Sequence, residues 1–83
     1  SYVVTHQRAA DLWSVYLNID IGSEQVAACM MLLKIARDEQ GIYNEDDGLD
    51  CTGYSALWAS LTSLDSDEIE AAKLASNINR KDQ

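Results

Sequence analysis

The chain has 83 residues, enough for one small domain, taken as residues 1–83, and no more. Hydrophobic residues make up 47% and proline is absent, which makes the disordered class a poor fit and disfavours a turn-rich β fold. Fourteen acids against six bases give a formal charge of −8, which argues against direct nucleic-acid binding and leaves a basic protein or a cation as the complementary partner.

In chain order, Tyr2-Val3-Val4 reads as a short extended arm because two of its three residues are β-branched. A first helix is predicted over about 5–17. Ala9, Leu12, Trp13, Tyr16 and Leu17 recur at steps that give a core stripe, with Gln7, Arg8, Asp11 and Ser14 facing away. Residues 18–22 form a connector. Ser23 is the expected N-cap of a second helix over about 24–38, with Glu24 favouring its positive end. Residues 26–33 of that helix hold no polar side chain apart from a thiol, so it needs cover on all sides. Four short helices are too few to provide that cover, and oligomerisation is expected.

Residues 40–46 read as a loop with Gly41 as the helix stop. A third helix over about 47–62 places Cys51, Tyr54, Leu57, Trp58 and Leu61 in a core stripe, with Asp46 or Asp47 as its cap. After a turn at 63–66, a fourth helix runs to about residue 79. Asp65 and Glu68 form a capping box at its start. Ile69, Ala72 and Ala75 face inward, joined at times by Leu74 and Ile78, and Arg80 and Lys81 complement its C-terminal end. The fold class is therefore all-α, a compact bundle of about four helices. Cys29 and Cys51 fall on apolar faces and read as buried free thiols, with no spacing that suggests zinc. No signal peptide or membrane-length apolar run is evident, so a soluble protein of the cytoplasm without membrane contact is expected. The chain begins at Ser1 rather than Met, which fits processing or truncation.

The chemistry-bearing residues gather between the second and third helices. Lys34 and Arg37 lie one helical turn apart, as do Asp47 and Asp50. The two carboxylates can hold a hard cation such as Mg, or they can serve as helix-start acid. The two cations can hold a phosphate or a partner carboxylate, or they can pair with Asp47, Asp50 or Glu45. No register of this acidic loop fits an EF-hand. Gly53 lies mid-helix at a cost of roughly 1 kcal/mol, which suggests close approach of a neighbouring helix or a ligand. Tyr54 lies on the carboxylate side as a core aromatic with a polar tip, or as a stacking surface for a base. His6, the sole histidine, has no evident nucleophile partner, and no glycine-rich phosphate loop is present.

Leu12-Trp13, the run Leu32-Leu33-Lys34-Ile35-Ala36-Arg37, and Asp47-x-x-Asp50-x-x-Gly53-Tyr54 together resemble a family of small uncharacterised phage and prophage proteins. The resemblance covers roughly residues 9–60. Those proteins are in turn distantly similar to MazG-like all-α nucleotide pyrophosphohydrolases and to nucleotide-modification-associated phage domains. In MazG-like enzymes two acidic pairs on successive helices hold magnesium, and Asp47-x-x-Asp50 resembles the second pair. The first is missing: Ala27 stands three residues after Glu24, and no acid lies between Glu24 and Asp38. The glycine-rich segment near the start of the phage relatives is also absent from residues 1–7.

The resemblance implies a phage-type accessory protein of a bacterial cytoplasm that binds a host or phage protein or a nucleotide. The alternatives are an Mg-dependent MazG-like nucleotide pyrophosphohydrolase, with Asp47 and Asp50 on metal and Lys34 and Arg37 on phosphates, and a purely structural helical homo-oligomer. Whether the chain is an enzyme stays open at this point.

Overall fold

A computed structural model of the chain describes residues 1–38 and 45–77. Four α-helices account for nearly all of them: α1 (Tyr2–Leu17), α2 (Ser23–Asp38), α3 (Glu45–Thr62) and α4 (Ser66–Ser76). No strand occurs among the described residues. In space the order is α3, α2, α1, α4. The α2–α3 pairing is the most extensive, and α1 packs against α2 on one side and α4 on the other. A bond of 2.6 Å between the Tyr2 and Ser60 hydroxyls ties the start of α1 to the end of α3.

The starts and stops of the helices follow from local chemistry. The residues expected as an extended arm are the first turn of α1, because Ser1 acts as N-cap and its hydroxyl accepts from the Val4 N–H. The cap bond is long, at 3.4 Å, but it relieves one orphan amide and so offsets part of the modest helix cost of two valines. Asn18 ends α1 at φ 56°, ψ 40°, in the left-handed region that asparagine tolerates better than most residues. Ser23 is not the cap of α2 but its first helical residue. The Gly22 carbonyl accepts from the Gln25 and Val26 amides, and the Gln25 side chain accepts from the Gly22 N–H at 2.8 Å. Gly22 is thus the N-cap, and Gln25 supplies the reciprocal half of a capping box. At α4 the box is complete: the Asp65 carboxylate accepts from the Glu68 amide at 2.8 Å, and the Glu68 carboxylate accepts from the Asp65 amide at 3.0 Å.

The third helix starts two residues earlier than the sequence suggests, so Asp46 and Asp47 lie inside its first turn and do not cap it. Gly41, Ile78, Arg80 and Lys81, with the roles expected of them, lie outside the described residues.

The core is thin. Ala10, Val26, Ala27, Leu61 and Ala72 are its buried apolar residues, and only Leu61 among them is large and fully enclosed. Small residues let the helices approach closely but each buries little area, so the packing of one chain contributes modestly. The clearest correction concerns α1. Of its expected stripe, Leu12, Tyr16 and Leu17 are exposed, while Gln7, assigned to solvent, is buried beside Ala10. The partners of α1 within the chain are met by this narrower, more polar face.

Other expected core positions also lie outward. Trp58, Leu74 and Ala75 are exposed, Cys29 is exposed, and Cys51 is half-buried with its thiol toward the Met31 carbonyl. Gly53 is not a close-packing glycine, because a β-carbon there would meet nothing within 4 Å.

Candidate functional site

Helices α2 and α3 run antiparallel. The last turns of α2 therefore face the first turns of α3, and the two basic residues meet the two acidic ones. Lys34 Nζ stands 3.0 Å from Asp50 Oδ2 and 4.0 Å from Asp47 Oδ1. Arg37 Nη1 stands 3.4 Å from the same Asp47 oxygen. Asp47 bridges both cations with a side chain only 4% exposed. Lys34 is mostly buried, while Arg37 and Asp50 are about half exposed. Glu45, also named as a possible partner, takes no part in these pairs.

The electrostatics are closed. Two cations and two carboxylates neutralise each other, and each pair also sits where the helix dipole favours it: cations at the end of α2, acids at the start of α3. A buried carboxylate needs such partners, since a charge left without them in a dry environment is costly. Asp38, the last residue of α2, follows Arg37 in the chain and takes no part in these ion pairs. Its Oδ1 is enclosed and has no hydrogen-bond partner among the described residues.

Divalent-ion binding is a poor match to this arrangement. The site offers two carboxylates, one buried and both engaged by cations, whereas a two-metal centre needs several carboxylates free to turn toward the ions. Among the described residues, no three His, Cys, Asp or Glu side chains stand close enough to share a metal ion. Tyr54 lies one turn beyond Asp50 on α3, half-buried, and its hydroxyl makes no hydrogen bond to a described residue. The His6 ring stays local, with Nδ1 2.8 Å from the Tyr2 carbonyl.

A second polar assembly has no counterpart in the sequence reading. Asp11 on α1 accepts from Gln7 Nε2 at 2.9 Å through one oxygen and from the Ser76 hydroxyl at 2.6 Å through the other. Arg8 donates to the Ser76 carbonyl at 2.9 Å, which ties the end of α4 to α1. Beside this network a cleft of about 530 Å³ opens between α1, α4 and the start of α2. Its residues come from separate helices, so no local spacing marks them in the sequence.

A model of a domain of unknown function, DUF6378, matches residues 2–62. The chain belongs to this family. The match takes in α1, α2 and α3 with the charge-paired junction, and ends before α4. The chain is also similar to the Gene 55 protein of Mycobacterium phage L5, with 40% identity over 53 residues, 63% of this chain and 34% of that protein. It therefore spans about a third of the phage protein's length. No solved structure matches. The expected kinship with uncharacterised phage proteins holds at this level. None of the described helices is long and apolar enough to cross a membrane.

Proposed function

We propose that this DUF6378 chain is a phage-type accessory factor of the bacterial cytoplasm that acts by binding another protein, and that its working form is an assembly of its own copies. The observation that carries this reading is the outward face of α1. Leu12 is 61% exposed, Val15 82% and Tyr16 88%, and exposed Ile19 follows one residue past the cap. This is the most regular apolar spacing of the helix, and none of the described residues covers it.

Contiguous apolar patches larger than a few hundred Å² are uncommon on single soluble chains and mark contact surfaces. Covering such a face contributes about 25 cal/mol per Å² buried, before the cost of association is subtracted. A standard interface takes about 800 Å² from each partner. Leu32, Leu33, Leu49 and Leu74, all exposed, offer further apolar area for copies or for a partner. The net charge of −8 favours a basic protein as that partner and disfavours nucleic acid.

The test is the mass in solution by light scattering for the wild type and for Tyr16→Glu, with helicity checked by circular dichroism. The expected result is a multiple of 9.2 kDa for the wild type that falls to the single-chain mass in the helical variant. A wild type that stays at 9.2 kDa across the concentration range overturns the assembly.

A second reading, Mg-dependent nucleotide pyrophosphohydrolysis, is supported by one observation: Lys34, Arg37, Asp47 and Asp50 converge at one helix junction. It requires a metal–nucleotide complex to displace the existing ion pairs. Thermal shifts with manganese and nucleoside triphosphates test it. A shift in the wild type that is lost in Asp47→Asn/Asp50→Asn favours this reading, and no shift in either protein removes it.

A further inference from the structure

The outer side of α2 is apolar where a surface helix of an acidic chain is ordinarily charged. Gln25, Cys29, Leu32 and Ala36 are all exposed, and they follow one another at steps of four, three and four residues, with exposed Leu33 beside them. That alternation is the seam by which one helix packs against another. The chain's own packing uses the opposite side of α2, where Ser23, Val26 and Ala27 are buried. None of the described residues covers the seam.

Charge selects the occupant. With a net charge of −8, copies of this chain repel one another wherever their surfaces are charged. A contact between identical faces sets each residue near its own counterpart, so it needs a face without net charge. From Gln25 to Ala36 the sole charged residue is Lys34, which turns away from the seam to Asp50, at 3.0 Å, and is mostly buried. A basic partner finds no carboxylate along this stretch, whereas a second copy finds no like charge. Size points the same way. A standard interface takes in roughly 20–30 residues a side, and the α1 face offers four apolar side chains, Leu12, Val15, Tyr16 and Ile19. Covering α2 as well brings each chain nearer to the area that a stable assembly buries.

We propose that the outer seam of α2 is a second self-association surface, occupied by the same seam of another copy, with Cys29 and Leu32 at its centre. This inference rests on the reading of the working form as an assembly of copies, and it adds a contact on a different helix from the α1 face. Two distinct contacts, each between identical faces, join four copies when they close.

The test reads two quantities over a dilution series of the full chain: mass by light scattering, and the rate at which N-ethylmaleimide alkylates Cys29, followed by peptide mass spectrometry. The variants are Leu32→Glu and Tyr16→Glu, with helicity checked by circular dichroism. Leu32 is 63% exposed, so its replacement leaves the packing of the single chain intact. The expected wild-type mass is four times 9.2 kDa, falling to two copies in either variant and to one in the double variant. In the wild type and in Tyr16→Glu, Cys29 should react several-fold more slowly in concentrated than in dilute protein, and Leu32→Glu should abolish the difference. The wild-type thiol reading holds whether or not a variant folds. A mass that falls in Tyr16→Glu but not in Leu32→Glu, or a Cys29 equally reactive at every concentration, overturns this inference and leaves the α1 contact standing. A mass that falls in Leu32→Glu alone supports the α2 seam and overturns the α1 contact. A single-chain mass throughout overturns both.

Discussion

The two ends of α2 handle charge in opposite ways. At its C-terminal end Lys34 and Arg37 close against Asp47 and Asp50 within 4.0 Å, and the bridging carboxylate is buried. At its N-terminal end Asp20 and Glu24 face a cleft without an ion-pair partner among the described residues. In sequence the C-terminal end carries Lys34 and Arg37, whereas the N-terminal end carries Asp20 and Glu24. The difference lies in what the tertiary fold brings opposite. An antiparallel hairpin delivers two cations to one acidic turn, whereas the α1–α2 connector delivers none to the other. Charge consumed by the fold reads as structure, whereas the acids at the N-terminal end stay open to the cleft.

Substitution at each end tests that contrast. Asp47→Asn should cost about 2 kcal/mol, because it removes the carboxylate shared by two cations in a buried position. Asp20→Asn should change stability by no more than about 0.5 kcal/mol, as an exposed acid outside the ion pairs of the described residues. Urea denaturation of both variants measures this. Equal costs would break the comparison.

The outer part of the closed end should be weaker. A double-mutant cycle between Lys34 and Asp50 should give a coupling of about 0.5–1 kcal/mol that shrinks in high salt, since Asp50 is about half exposed. A coupling of zero would confine the structural role to Asp47.

The smallest effect belongs to the outer side of α3. Gly53→Ala should stabilise the isolated chain by about 0.5–1 kcal/mol, because the added methyl enters open space within a helix. Thermal denaturation of dilute protein checks the sign. A loss that appears only at concentrations where copies associate would place Gly53 at a contact between them.

Much of this arrangement is legible in the sequence. The absence of proline, the Asp65–Glu68 box and the spacing of Lys34-x-x-Arg37 and Asp47-x-x-Asp50 give four helices, six of their boundaries within about two residues, and the meeting of the two charge pairs. The orientation of α1 is not legible. Periodicity reports that a helix has an apolar face, not whether that face meets its own chain or another one. Leu12, Val15 and Tyr16 carry the stronger pattern, yet Gln7 and Ala10 face inward, because small and polar residues suit the close α1–α2 and α1–α4 contacts and the bond to Asp11. The cleft was hidden for a related reason: Gln7, Ser23 and Lys73 are far apart in sequence and meet only once the helices pack.

The central claim is that the outward face of α1 is covered in the working protein. Hydroxyl-radical footprinting read at Tyr16 across a dilution series tests it most directly, with exposed Trp58 as an internal reference. The account predicts that Tyr16 is protected at high concentration and becomes several-fold more reactive on dilution. A Tyr16 that reacts at the same high rate at every concentration, as its 88% exposure in the single chain would allow, contradicts it.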